Sequence, residues 1–286
     1  MHQRRGFLDR IKQSDRLAIR VNAENTMQLP DDIAKILSGP HRETHYYLVM
    51  MLEGEDNQRI DMKDYTVSPG QILFVLPNQI HWSGRHSPGS RFFNIVFDEN
   101  CLALLPHTHK FLFNPLHNPL ISLPHEAVVR LRSIFSNLSG LLKKQGNTET
   151  VLAYLNVLLT ECNSFYFHGY HYNMIQDHRF DVYIQFQQYV ERELGRVSEI
   201  TLIAEKLAIS VNSLYQIVKQ YAGLSPKQFI INRLMLEAQR KLYNGNHSTK
   251  AIAYELGFSD PDYFARLFKK NLGKKISQFI SEMTDL

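Results

Sequence analysis

Toward its C-terminal end the chain reads "DYFARLFKKNLGKK", which gathers Arg266, Lys269, Lys270, Lys274 and Lys275 within a few residues. A guanidinium is a planar fork that can bridge two acceptors, such as O6 and N7 of guanine. An ammonium is a point charge suited to phosphate oxygens. Some fifty residues earlier, "SVNSLYQIVK" offers Asn212, Ser213, Tyr215, Gln216 and Lys219. Asn and Gln can pair bidentately with adenine, and a Ser hydroxyl can donate or accept. A third group, His41, Glu43, His45 and His81, mixes imidazole with carboxylate, the donors that hold a metal ion. Each group has a plainer alternative. Lys and Arg usually sit on a solvated face, and a histidine cluster without ligand spacing lines a pocket or packs.

These residues need elements to aim them. In "AIAYELGFSDPDYFARLFKKNLG", Ile252, Leu256 and Phe258 form one apolar face, and Ala251 and Ala253 allow close helix contact. Gly257 ends this helix, because Gly tolerates a left-handed backbone. Ser259 or Asp260 can cap the next helix, with Pro261 in its first turn. There Phe264, Leu267 and Phe268 recur at helical spacing and point inward. Asp262, Ala265, Arg266, Lys269 and Lys270 are left outside, and Gly273 ends the helix. Helix, short Gly turn, helix is the pattern of a helix-turn-helix or of any packed helical hairpin.

An internal repeat separates these readings. Ile203, Ala204, Leu207 and Ser210 match Ile252, Ala253, Leu256 and Ser259 at an offset of 49. Lys219, Gly223, Gln228, Phe229 and Ile230 match Lys269, Gly273, Gln278, Phe279 and Ile280 at an offset of 50. The one-residue slip falls in the turn, where insertion is tolerated. Between the copies, "SPKQFIINRLMLEAQRKLYNGNHS" reads as one helix: Ser225 caps it, Pro226 starts it, and Asn244-Gly245 end it. Phe229, Leu234, Leu236, Ala238 and Leu242 supply its apolar positions. At ~1.5 Å per residue it spans about 26 Å, a length that can hold two outward helices roughly one DNA turn, ~34 Å, apart. A solenoid normally needs about three copies, and only two are present.

The chain has 286 residues, enough for two or three domains with real cores, and its two cysteines, Cys101 and Cys162, lie far apart without metal spacing. They are expected to stay reduced in a cytoplasm. The net charge is +4; from Asp181 onward 14 Lys/Arg face 11 Asp/Glu, so the excess sits in the C-terminal third. The run "YYLVMML" from Tyr46 is far shorter than the ~20 residues a membrane helix needs. "MHQRRGFLDRIKQSDR" has no apolar run, so no secretory signal is expected.

From about Phe180 to Ile280 the chain resembles the AraC/XylS-type transcriptional regulators. The resemblance is carried by "IAEKLAIS", by the linker helix "RLMLEAQRKLYNGN" and by "IAYELGFSDPDYFARLFKKNLG". Val218 stands where such proteins often have Phe, and the second unit ends "GKKISQFI" without the frequent Ser-Pro. The resemblance implies tandem helix-turn-helix units reading two adjacent major grooves of double-stranded DNA. Base contacts are then expected from Asn212, Ser213, Tyr215, Gln216, Asp262, Ala265 and Arg266. Phosphate contacts are expected from Lys219, Lys269, Lys270, Lys274 and Lys275.

The N-terminal half differs in kind. From Leu17 to about Asp98, "YYLVMMLEGED", "QRIDMKDYTVSPGQILFVLPNQIHW" and "SRFFNIVFDEN" are short β-branched and aromatic runs separated at "EGED" and "SPGQ". Short strands at near-regular spacing predict a sandwich or barrel. With Gly54, Pro69-Gly70, Pro77 and His81 this piece resembles the cupin-like sensor barrel that often precedes such a DNA-binding module. In the cupin pattern His41 fits the first metal histidine, but Glu43 stands at the second and Tyr47 at the glutamate. A metal set of His41, Glu43 and His81 is therefore incomplete, and neither metal nor other cofactor is expected. His41, Tyr47, His81 and Trp82 are the expected effector contacts near the mouth. Two helices follow from Pro124. Val128, Leu131, Ile134, Phe135, Leu138, Leu141 and Leu142 form a stripe on the first, and Val151, Leu155, Leu158 and Leu159 on the second. Such stripes serve a core or a dimer face.

The expected fold is α+β: a cupin-like β-barrel with two following helices over residues 1–167, a linker over 168–179, and an all-α domain of two helix-turn-helix units over 180–286. Three functions compete: a ligand-responsive regulator, a cupin-type enzyme with a DNA-binding appendage, and a helical interaction module that never touches DNA. No Gly-rich phosphate loop, nucleophile elbow or paired catalytic carboxylate is present, so no enzyme is expected. The favoured reading is a cytoplasmic homodimeric activator, controlled by a small organic effector and working with RNA polymerase, with no membrane partner.

Overall fold

A computed structural model describes residues 7–22, 39–83, 89–113, 118–168, 178–196, 199–243 and 248–284. The chain divides into two compact units, 1–169 and 170–286. Most of the segment read as a linker, 169–177, lies outside the described residues.

Among its described residues the first unit has a short helix, α1 (Phe7–Ile11), followed by nine strands. One sheet has the order β1 (Ile19–Asn22), β8 (Arg91–Phe97), β3 (Tyr46–Glu53), β6 (Gln71–Val75), β9 (Leu120–Ser122). The other has the order β2 (His41–Arg42), β7 (Ile80–Ser83), β4 (Asp56–Ile60), β5 (Lys63–Val67). All described pairings are antiparallel. The described strands therefore form two sheets, one of the two arrangements that strand spacing predicts, and do not close into the single barrel that the cupin resemblance implies. The reason lies at the edges: β2 is two residues long and bonds to β7, and β5 and β9 end their own sheets. A two-sheet cupin-like domain keeps the same inward and outward alternation. The β4–β5 hairpin turns through Asp61 and Met62, with φ 47° and 69°, the twisted two-residue turn that matches strand twist. The Asp61 carboxylate accepts from the Ile80 amide at 3.2 Å and from Gln79 at 2.8 Å, tying this turn to β7.

Val49, Met51, Leu73, Val75 and Phe92 of the first sheet pack on Ile60 and Val67 of the second. The outer face of the first sheet carries Phe74 and Phe93, which meet Phe111, Phe135 and Tyr166 at ring distances of 5.2–5.7 Å. Those partners come from a 3-10 turn (Lys110–Phe113) and two helices, α3 (His125–Lys143) and α4 (Thr148–Tyr166), which follow a short α2 (Glu99–Ala103). The predicted stripes are spent here: Leu131, Phe135, Leu138, Leu142, Val151, Leu155, Leu158 and Leu159 are buried. Val129 and Val157 remain exposed.

Among the described residues the regular elements of the second unit are all helices: α5 (His178–Arg192), α6 (Ile200–Lys206), α7 (Val211–Ala222), α8 (Pro226–Tyr243), α9 (Thr249–Glu255), α10 (Pro261–Leu272) and α11 (Ile276–Thr284). Phe264 and Phe268 are fully buried with Met235, Ala238, Ile252, Ala253 and Phe279 in its second core. Among the described residues no helix is long and apolar enough to cross a membrane.

Candidate nucleic-acid interface and inter-sheet polar layer

The first helix pair is α6 and α7. The chain turns through Ala208 at φ +54°, and the Ser210 hydroxyl accepts from the Ser213 amide at 3.1 Å to cap α7. Gly223, at φ +69°, closes α7 by donating its amide to the Lys219 carbonyl. The second pair is α9 and α10. Ser248 caps α9, the chain turns through Gly257 at φ +83°, and the Asp260 carboxylate accepts from the Asp262 amide at 2.8 Å. Pro261 occupies the first turn and Gly273, at φ +75°, closes α10. Of the two capping candidates, Asp260 takes the role and Ser259 does not. The helices α7 and α10 are both 12 residues long, with caps fifty positions apart, so the repeat slip lies between Gly257 and Asp260.

Leu214, Ile217 and Val218 hold α7 to its unit, and Phe264 and Phe268 hold α10. The opposite faces are polar. Asn212, Tyr215, Gln216 and Lys219 are exposed on α7. Ser213 is half-buried, its hydroxyl 2.8 Å from that of Ser210. The Lys219 ammonium donates to the Gly223 carbonyl at 2.9 Å, finishing the helix end. On α10, Asp262, Arg266, Lys269 and Lys270 are exposed, and Ala265 is half-buried against the second core. The Arg266 side chain is 69% exposed and reaches Asp260 at 3.4 Å. Lys275 is exposed, whereas Lys274 is half-buried, pairs with Glu282 and lies 5.6 Å over the Phe279 ring. Tyr263, 48% exposed, shares the outer face and was not singled out in the sequence. Its signal is positional: it stands fifty residues after Ser213.

Between the pairs, α8 carries more charge into the interior than its apolar positions suggest. Glu237 and Arg240 are buried, with Arg240 Nη1 3.5 Å from the Glu237 carboxylate. The Arg233 guanidinium makes two hydrogen bonds to Glu191 of α5, one at 2.8 Å through Nη2, and Lys241 donates to Glu255 of α9 at 2.8 Å. The predicted Ser225 cap is present, its hydroxyl accepting from the Gln228 amide at 3.2 Å. Phe229, Ala238 and Leu242 are buried as expected; Leu234 and Leu236 are half-buried.

In the first unit the register pairs His41 with His81, with ring centroids 4.2 Å apart. The ring of Tyr47 is stacked 6.3 Å from that of His81. The Tyr47 hydroxyl is hydrogen-bonded to the Asn94 side chain, whose Oδ1 accepts from Asn22 Nδ2 at 2.7 Å. Gln58 donates to buried Asp56 at 2.7 Å. Pairing of Ile60 with both His81 and Lys63 puts His81, Ile60 and Gln58 on the inward side of the second sheet. Three of the four expected effector contacts, His41, Tyr47 and His81, thus come together. Trp82 does not: alternation turns it to the other face, beneath the Arg59 guanidinium at 5.2 Å.

Burial governs the electrostatics of this layer. It pulls His81 down to about 3, with His41 adding repulsion, and pulls His45 down to about 4. It lowers His41 as well, and pushes Glu43 up to about 7. His45 and Glu43 lie 3.9 Å apart, but these shifts keep the pair from being a full ion pair at neutral pH. Among the described residues no group of three or more His, Cys, Asp or Glu is arranged to hold a metal ion.

Two family models match the chain. An AraC-like ligand binding domain covers residues 34–156, and a helix-turn-helix domain covers residues 203–282. The chain belongs to the AraC/XylS-type family. A relative in that family, the HTH-type transcriptional activator RhaS of Salmonella arizonae, is 32% identical over 68 residues, 24% of this chain and 24% of that one. The match thus spans about a quarter of the relative's length. Solved structures show lower identity. ToxT from Vibrio cholerae is 14% identical with a TM-score of 0.46, covering 92% of this chain and 97% of that one. The DNA-binding domain of AdpA, in complex with a target DNA, is 20% identical with a TM-score of 0.33, covering 37% and 93%. In this family member the helix-turn-helix match contains α7, α8 and α10 whole, and the ligand-binding match contains the whole inter-sheet layer from His41 onward.

Proposed function

We propose that the chain is a sequence-specific DNA-binding transcriptional regulator that acts in the cytoplasm, with residues 1–167 as sensor, 168–179 as linker and 180–286 as reader. The observation that carries this reading is the pairing of α7 and α10. They are twelve-residue helices, each capped by a side chain at its start and a left-handed Gly at its end, and each buries one face and turns a polar face outward. Each would lay that face in a major groove, two grooves in succession on one side of the duplex. Arg266, Asn212 and Gln216 would read base edges with Ser213, Tyr215, Asp262 and Ala265 beside them. Lys219, Lys269, Lys270, Lys274 and Lys275 would meet phosphates.

The regulator is proposed to be an activator that engages RNA polymerase and responds to a small organic effector held between the two sheets. Support for the effector is the set of polar side chains gathered there by His41, Tyr47 and His81. It is proposed to be a homodimer; Val129 and Val157 are large apolar side chains left exposed on α3 and α4. Light scattering of the purified chain tests that assembly. The chain is read as a binding protein and not as an enzyme.

The DNA reading is tested by selecting duplexes from a randomised library with the full-length chain and titrating the winner across 50–200 mM salt. Neutralising three to five phosphates should give a log–log slope of roughly −3 to −5. An affinity flat with salt would remove DNA from the proposal.

A further inference from the structure

The backbone of the turn between α9 and α10 lies directly against the backbone that follows α5. A β-carbon placed on Gly257 would sit 2.1 Å from the Gly195 carbonyl oxygen, and one placed on Gly195 would sit 2.7 Å from the Glu255 carbonyl oxygen. Both glycines have positive φ, +87° and +83°. Gly195 follows α5, whose Phe180 and Tyr183 rings pack on Tyr221 of α7 at 5.2 and 5.4 Å, and Gly257 is the turn of the second pair, so this contact joins the two halves directly.

The first copy of the repeat serves as an internal control. Its turn residue, forty-nine positions earlier, is Ala208, which holds φ +54° with a methyl group in place. The turn as such accepts a β-carbon. What requires glycine in the second copy is the neighbouring backbone. The remaining ties reinforce the same arrangement: Arg233 holds α8 to Glu191 of α5, Lys241 holds α8 to Glu255 of α9, and Gln228 of α8 donates to Asn271 of α10 at 3.3 Å.

We infer that Gly195 and Gly257 form a backbone lock that fixes α7 and α10 in one relative orientation, so that the chain accepts its two half-sites at a single spacing. This inference rests on the DNA reading above and adds a specificity determinant that touches no base. Each base pair inserted between half-sites rotates the second by roughly 34–36° about the duplex axis. A locked pair cannot follow that rotation, whereas a pair hinged on α8 can. Preorganisation of this kind concentrates binding on one geometry.

The test uses the full-length chain and its library-selected duplex, with one base pair inserted or deleted between the half-sites. The native chain should lose at least about tenfold in affinity on either change. Gly257→Ala and Gly195→Ala should each weaken binding to the best spacing and shrink the spacing penalty to about threefold or less. The two variants remove one contact from its two sides, so their combination should do no more than either alone. Circular dichroism melts establish that each variant is folded. Equal affinity of the native chain for all three spacings overturns the lock without need of any variant, while leaving DNA binding intact. A folded Gly257→Ala that keeps the native spacing penalty overturns it as well. Failure of the native chain to select any duplex would bring down the DNA reading and the lock together.

Discussion

The carbonyl oxygen of Gly195 occupies the space a side chain on Gly257 would need, at 2.1 Å from an ideal β-carbon. Contacts that short are not relieved by rotating a side chain, because both parties are backbone. The same turn position in the first repeat copy carries Ala208. The two turns therefore differ in what they tolerate, and that difference can be measured as stability.

Gly257→Ala should cost about 2–4 kcal/mol, from backbone displacement of the overpacking kind plus the left-handed penalty of a β-carbon. Ala208→Gly should change stability by no more than ~1 kcal/mol, because relief of left-handed strain offsets the added freedom of the unfolded chain. Urea unfolding of the two full-length variants, followed by far-ultraviolet circular dichroism, checks both. An Ala208→Gly loss as large as that of Gly257→Ala would show that turn conformation, not the neighbouring backbone, decides the residue.

Arg266 and Lys270 stand on the same helix and should behave differently. If Arg266 forks onto a guanine as proposed, Arg266→Ala should cost about 1–3 kcal/mol and relax preference at one base pair. Lys270→Ala should weaken all sequences alike and reduce the salt slope by about 1. Library selection with each variant separates the cases. Identical binding profiles would dissolve the division between base and phosphate contacts.

Much of this was legible because local chemistry marks it. Gly223 and Gly273, at left-handed φ beyond α7 and α10, are helix ends readable from residue type alone. The choice between Ser259 and Asp260 was not readable, since both residues can cap and only the backbone path selects one. Glu237 and Arg240 were not assigned to the interior because a charge is expected outside. Their burial follows from their pairing with each other and from the crowding of α8 on both sides. Trp82 fails for a simpler reason. Two adjacent residues of a strand cannot face the same way, so choosing His81 for the inter-sheet layer excludes its neighbour. The register that fixes this choice, His81 opposite His41 and Ile60, is a long-range fact that strand spacing does not encode.

Acid should loosen the first unit. His81 is held down to about 3 and His45 to about 4 by burial, and His41 is lowered too, so between pH ~6.5 and ~4 the unfolded chain binds protons that the folded chain refuses. Stability then falls as pH falls, by up to about 1.4 kcal/mol per pH unit for each such histidine. Glu43 opposes this: raised to about 7, it is protonated in the folded chain first and favours folding as pH falls from 7 toward 4.5. Three histidines against one carboxyl leave a net loss. Thermal melts from pH 7 to 4.5 should show the midpoint dropping, and His81→Gln should flatten the slope. A midpoint that holds or rises on acidification would mean that these imidazoles are charged in the fold.

The effector proposal makes a demand on neighbouring residues with opposite orientations. If a small organic molecule binds between the sheets, it meets the Tyr47 hydroxyl, His41 and His81, and it does not meet Trp82 under Arg59. An effector at a hundred times its Kd stabilises the folded chain by about 2.7 kcal/mol, a thermal shift on the order of 5–10 °C for a domain this size. A screen of small metabolites by thermal shift should therefore find it. Tyr47→Phe should then raise its Kd by about 5–30-fold through one lost hydrogen bond to a desolvated partner, whereas Trp82→Ala should leave Kd within about threefold. Because a ligand regulates only by favouring one state, the effector should also change duplex affinity, and duplex should change effector affinity by the same factor. Chelation should leave all of this untouched. A stoichiometric metal on the purified protein, lost together with regulation in His81→Ala, would replace the organic effector with a metal. Regulation unaltered after deletion of residues 1–165 would place the sensing elsewhere altogether.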